Sequence, residues 1–374
     1  VTALPAEPAH PDGTIRLEVG GRIYAGWTAV RVTRDLQREA SEFEVSVTER
    51  WADRDTPWIV RPGAAARLTL DDAPLVTGWI DTVEPSIDGQ RHGVTWRGAS
   101  RTVDLVDCSA MVPGGQFVGY DLAAIARALA GPFGLEVAVE AGVGRAFAEV
   151  QINQGERAAQ LLQRLAALRQ VLVTDDADGR LVLTRPGERR SPEPLVLGEG
   201  GNVLAARARL SQAARHSAYT VKAQAAGTDF AFGPAAAEVR GEATDPAVTR
   251  HRPLLLIAEA GTDAAGAGER ARWEATARAA GGTAATVTVR GWRRADGTLW
   301  RPNERVRVTI PPLQLDRELL VLRTVHALDA ARMVTELTLA PPEALAPEPA
   351  GPEPRGDGAG AAEADPWKDV EAIR

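Results

Sequence analysis

Apolar and polar residues alternate over most of this chain, the two-residue period of strands with one buried face. Ile15, Leu17 and Val19 alternate before Gly20-Gly21, Ile23 and Trp27 lead to Val30 and Val32, and Phe43, Val45 and Val47 form another run. Residues 66–70, 75–83 and 94–96 continue the pattern, with Asp71-Asp72 and Asp88-Gly89 as turns between them. The spacing predicts an antiparallel β unit, closed or nearly closed into a barrel, over residues 1–101 with an N-terminal extension.

The period then changes to that of helices. Asp121 is a good N-cap for LAAIARALAG, where Leu122, Ile125, Ala126 and Leu129 share a face and Gly131-Pro132 stops the run. A second helix, from about Glu156 to Leu168, places Leu161, Leu162, Leu165 and Leu168 together, and VLVTDDADGRLVLTRP reads as a hairpin turning at Asp178-Gly179. Residues 102–200 are therefore expected to form a small α+β insert. Strands return at Val203, and residues 201–340 read as a second β-barrel domain containing one helix, Thr262 to Ala280, whose only large apolar anchor is Trp273. The fold class expected is β-rich α+β, two related antiparallel barrels flanking the insert.

Within the second β unit, VTVRGWRRADGTLWRPNERVRVTIPP (residues 287–312) reads as a hairpin turning at Asp296-Gly297, with Trp292 and Trp300 able to pair across the turn and Pro302 marking an edge or bulge. Gly-Trp recurs as Gly26-Trp27 and Gly78-Trp79, which hints at related β units at the two ends of the chain. Trp27, Trp79, Trp292 and Trp300 are the structural core candidates.

Residues 341–374 differ in kind. Pro342, Pro347, Pro349, Pro352 and Pro354 among Ala, Gly and Glu cannot support a core, so this part should be an extended linker ending in DPWKDVEAIR, where Trp367, Val370 and Ile373 would line one side of a short partner-docking helix. Composition narrows the field further. The formal net charge is -7, which asks for no nucleic-acid partner, and no apolar run is long enough to cross a bilayer. Cys108 stands alone, so no intrachain disulfide or cysteine metal cluster is expected, and the first residues lack the basic flank and apolar core of a signal peptide.

Candidate chemistry is sparse. His10, His92, His216, His251 and His326 have no His or Cys neighbour at a metal-ligand spacing. Gly98-Ala99-Ser100 begins like a nucleophile elbow, but Thr102 stands in place of the second glycine. Asp175, Asp176 and Asp178 before Gly179 resemble the start of a calcium loop without its closing Glu, so turn chemistry accounts for them better. Gly142-Val143-Gly144 has no strand-to-helix context for a nucleotide. No catalytic residue, metal or cofactor is expected.

Five segments in order carry a resemblance: DLVDCSAMVPGGQF (104–117) with LAAIARALAGPFGLEV after it, YTVK (219–222), TDPAVTRHRPLLLIAEA (244–260) and GWRRADGTLWRPN (291–303). Together, from about Ile15 to Ala340, the chain resembles the baseplate hub proteins of Mu-type contractile-tailed phages. The resemblance implies a homotrimer whose two related barrels per subunit build a pseudo-sixfold ring, adapting the sixfold tail tube to the threefold central spike. It also implies contacts with neighbouring baseplate proteins and a place in the virion tail, assembled in the host cytoplasm. Two other classes remain open at this stage: a peptidoglycan hydrolase, with the insert as its lytic domain, and a carbohydrate-binding module with an exposed tryptophan platform.

Overall fold

In the computed structural model, which describes residues 13–48, 60–87, 92–224, 238–258, 263–346 and 348, the alternating runs become strands. The first β unit holds β1 (Ile15–Val19), β2 (Arg22–Tyr24), β3 (Ala29–Asp35), β4 (Glu42–Thr48), β5 (Ala65–Leu70), β6 (Ala73–Ile87) and β7 (His92–Ser100). In β1, Ile15, Leu17 and Val19 are buried while Arg16 and Glu18 face solvent, as the period requires. Trp96 lies at the centre of this core, edge-on to Tyr24 and Trp27 with ring centroids 5.2 and 5.7 Å away. Such pairs add about 0.5–1.5 kcal/mol to the burial of each ring.

The insert packs α1 (Val103–Asp107), α2 (Leu122–Ala130) and α3 (Ala158–Leu168) with β8 (Gln116–Val118) and β10 (Glu149–Gln151) as one strand pair, and with β9 (Val137–Val139), β11 (Leu172–Asp175) and β12 (Leu181–Thr184) as a three-stranded sheet. Asp121 caps α2 through a 2.7 Å bond from the Ala124 amide. Leu161, Leu162 and Leu165 of α3 are buried in the insert's own core, whereas Leu168 is exposed.

The second β unit holds β13 (Arg189–Arg190), β14 (Leu195–Val196), β15 (Val203–Leu210), β19 (Thr283–Arg290), β20 (Glu304–Ile310), β21 (Leu315–Leu328) and β22 (Met333–Ala340). Its neighbour order β15-β19-β22-β21-β20 repeats the order β3-β4-β7-β6-β5 of the first unit. Registers repeat too. Val45 stands opposite Val30 and Trp96, and at the equivalent place Val287 stands opposite Ala206 and Leu337. The long strands β6 and β21 carry matching bulges, after Ile80 and after Val321.

No closed barrel is present among the described residues, and this corrects the expectation of two barrels. β21 is 14 residues long, and only its first half, Leu315 to Leu320, pairs with β20. Beyond the bulge, Arg323 to Leu328 have that edge free and take β3 of the first unit, so both units join in one fourteen-stranded sheet.

A second correction concerns residues 287–312. The turn lies at Asp296-Gly297, with Gly297 at φ 83° and the Asp296 carboxylate accepting from the Thr298 amide, yet β19 and β20 do not pair with each other. β19 lies between β15 and β22, while β20 pairs with β21, β13 and β14. Only the isolated bridge Arg293–Leu299 remains of the hairpin, because both edges of β19 are taken by β15 and β22 and β20 lies along β21.

Strands β16 (Ala218–Gln224), β17 (Glu238–Thr244) and β18 (Pro253–Ile257) form a separate sheet rather than part of a second barrel. They belong to a compact unit of residues 216–273, distinct from the unit holding the large sheet, and helix α4 (Ala264–Gly281) runs across the boundary. Gly241 explains how an alanine-rich helix packs there: a Cβ on it would meet the Ala267 carbonyl carbon at 2.1 Å, so strand and helix touch backbone to backbone. Trp273 is only half-buried.

Candidate functional site

The residues that carry chemistry in this chain gather where the insert meets the two β units, and they make a structural joint. Asp175, at the end of β11, is buried and accepts from both the amide (2.9 Å) and the hydroxyl (2.8 Å) of Ser41. Burial pushes its carboxyl up from the ordinary range, while attraction to the half-buried Arg34 side chain and the bonds from Ser100 and Ser41 pull it back. Ser100 shares a 2.8 Å hydrogen bond with Thr102 and accepts from the Ser41 amide, so its oxygen is held inside the joint and exposes no nucleophile. Asp176 receives the amides of Asp178 and Arg180, which is turn chemistry.

The other side of the insert is tied by Asn303. Its side chain accepts from the Gly187 amide at 2.7 Å and donates to the Arg185 carbonyl at 2.9 Å, with the backbone held at φ 65°, a conformation asparagine tolerates.

The tryptophans fall at the same joint, though not as a cross-turn pair. Trp292 is fully buried in the core of the first β unit and donates to the Ala327 carbonyl at 3.1 Å, whereas Trp300 is buried in the core of the second, under the Arg294 guanidinium at 4.9 Å. Arg294 is itself buried and ion-paired with Glu304. Between the two rings, Arg293 donates to the Leu70 carbonyl at 3.1 Å, so the turn clasps the first unit while its next strand enters the second. Trp27 and Trp79 are half-buried; Trp27 donates to the Ile15 carbonyl and Trp79 to Asp104.

The recurring Gly-Trp pairs have different causes. Gly26 and Gly291 sit at positive φ (86° and 69°), while Gly78 is there because a Cβ would meet the Ala99 oxygen at 1.9 Å. The relation between the β units lies in strand order and register instead.

Sequence reasoning missed Ser41 and Arg34, and weighed His326 only as a histidine without a metal-ligand neighbour. His326, on β21, is buried edge-on to Trp292 at 5.4 Å, and neither ring nitrogen has a hydrogen-bond partner among the described residues. Burial, and then the charge of Arg34, lower its pKa to about 3, so it is neutral in the folded protein. Its position in an alternating strand was the one signal available. Among the described residues, no group of three or more His, Cys, Asp or Glu side chains is arranged to hold a metal ion. No described helix is long and apolar enough to cross a membrane. His10 and the docking candidates Trp367, Val370 and Ile373 lie outside the described residues.

Comparison with known proteins agrees with this architecture. Residues 14–100 match the N-terminal domain of the Mu phage baseplate assembly protein GpP-like family, residues 102–185 the second domain of the baseplate hub protein gp44-like family, and residues 263–348 the fourth domain of GpP. The baseplate hub protein gp44 of Escherichia phage Mu is 33% identical over 341 residues, 89% of each chain. The crystal structure of the 43 kDa tail protein of prophage MuSo2 from Shewanella oneidensis is 35% identical, with a TM-score of 0.79 over 89% of this chain and 99% of that one. A tail protein from Neisseria meningitidis MC58, 22% identical, shares the fold with a TM-score of 0.70 over 89% of this chain and 98% of that one. With the two-unit sheet, the insert and this likeness over nearly nine-tenths of its length, the chain belongs to the Mu-type baseplate hub protein family, structural components of the virion tail.

Proposed function

We propose that the chain works as a homotrimeric adaptor at the tail tip, three copies presenting six β units in a pseudo-sixfold ring between the tail tube and the threefold spike. The observation that carries this reading is the repeat of strand order and register between the two β units, joined in one sheet through β21 and β3. Two equivalent blocks in each of three chains give six equivalent positions, the arithmetic needed to meet a sixfold tube with a threefold part.

In this reading the domains are residues 1–101 and 201–340, the latter interrupted by the separate unit of residues 216–273, as the ring-forming units, residues 102–200 as the insert and residues 341–374 as a tether. The insert's two ties, at Ser41 and at Asn303, brace it against both ring units. The hub acts without catalysis: Ser100 and Asp175, its nearest approach to reactive groups, are engaged in the joint. The C-terminal segment with Trp367, Val370 and Ile373 docks on a neighbouring protein of the baseplate or on the spike.

The reading is tested by native mass measurement of the isolated protein, alone and with its spike protein. A trimer that takes up one trimeric spike is expected. A chain that stays monomeric at every concentration and binds no spike overturns the adaptor reading.

A further inference from the structure

The joint between the two β units repeats a contact that each unit is also equipped to make outward. Within the chain, Arg323 to Leu328 of β21 pair with β3, register Thr324 opposite Arg34 and Leu328 opposite Val30. The matching bulges align Arg323 to Leu328 with Thr82 to Ile87 of β6, and the matching ladders align Val30 to Arg34 of β3 with Ala206 to Leu210 of β15. Each of these equivalents has an unused edge. Among the described residues β15 pairs with β19 alone, and Thr82 to Ile87 pair with β7 alone.

Burial shows the same asymmetry. Thr324, Val325 and His326 are at most 2% exposed, whereas Glu84, Pro85 and Ser86 face solvent and Ile87 is 76% exposed. On β15, Arg207 and Arg209 are exposed and Leu210 is 50% exposed. An edge strand of this length with an apolar residue at its end is unfavourable when left open and favours pairing with another chain.

We infer that the β6 arm of one copy pairs antiparallel with β15 of the next, repeating the β21–β3 register between chains. This rests on the trimeric adaptor reading and names the strands that join its subunits. The transferred register puts Val83 opposite Leu210, Glu84 opposite Arg209 and Ile87 opposite Ala206. It therefore sets a carboxylate against a guanidinium at the centre of the contact and apolar residues on either side of it. Glu84 already pairs with Arg97 on β7, so a second arginine extends an existing ion pair across the interface. The contact is heterologous, one edge meeting a different edge, so it propagates around a ring instead of ending at a dimer. It also differs from the internal joint in one respect: Pro85 stands where His326 does and has no N–H, so the contact between chains has at most one ladder bond fewer. That makes the internal joint the stronger of two alternating ones.

The test is register-specific cross-linking in the full chain. With the native thiol removed by Cys108→Ser, the pair Glu84→Cys and Arg209→Cys should give chains linked through disulfides under mild oxidation, whereas Glu84→Cys with Arg207→Cys, two residues out of register, should give little. In parallel, Glu84→Arg or Arg209→Glu alone should weaken self-association about tenfold, because like charges then face each other, and the double reversal should restore it. Oligomers that form normally but neither cross-link at 84–209 nor respond to the charge reversals overturn the strand pairing and leave the adaptor reading intact. A protein that stays monomeric and is absent from purified tail particles overturns both.

Discussion

Acidification should weaken the joint between the β units through His326, and the size of the effect follows from its burial. The imidazole is neutral in the fold, with a pKa of about 3, and titrates near 6.5 once unfolded. Because the folded pKa is the lower one, the unfolded chain binds more protons between these values. Stability from this residue is therefore intact above pH 6.5 and is lost as pH falls toward 3. The loss is about 2 kcal/mol at pH 5 and about 3 kcal/mol at pH 4. Asp175, Glu39 and Glu304, whose carboxyls burial pushes up, act in the opposite direction, since the folded protein takes up their protons first. The comparison must therefore be between wild type and His326→Leu, which removes only the histidine's contribution. Leu fills a similar space and abandons no hydrogen bond, since both ring nitrogens lack partners among the described residues. Urea unfolding at pH 7.5 and pH 5 should show wild type losing about 2 kcal/mol more than the variant. Parallel losses in the two proteins would refute the reasoning.

Trp300→Ala should destabilise the unit that holds the large sheet by about 3–5 kcal/mol through loss of a buried ring, and a thermal melt that matches wild type would count against its place in the core. Asp175→Ala leaves Arg34 without its buried counter-charge and Ser41 without its acceptor. A cost of about 3–5 kcal/mol is expected in urea unfolding, and a change under 1 kcal/mol would show that the insert is held by apolar contact alone. Deleting residues 365–374 should reduce incorporation of the spike or a neighbouring baseplate protein into particles, while unchanged incorporation would remove the docking role.

Much of the local structure was legible in the sequence. Period-two runs located β1, β3, β4 and β7, Asp121 marked the start of α2, and Asp178-Gly179 marked the β11–β12 turn, because each depends on neighbours within a few residues. What was not legible depends on distant pairing. Nothing local in residues 287–310 says that β19 and β20 will separate, since both alternate as hairpin strands do; the choice is made by β22 and β21, further along the chain. The same holds for the missing barrels. Nothing local in β21 shows that its edge is divided, at the bulge, between β20 and β3. Asp175 lies 134 residues beyond Ser41, so the polar joint it forms with Ser41 and Arg34 had no spacing by which to be found.

In the adaptor reading three copies of the chain sit at the tube–spike transition. A cryo-EM reconstruction of purified tail particles at the tube–spike transition tests it most directly. The account predicts three copies in one ring, their six β units following the sixfold symmetry of the tube above and their inserts following the threefold symmetry of the spike below. A ring of any other copy number, or density for this chain away from the tube–spike transition, would contradict it.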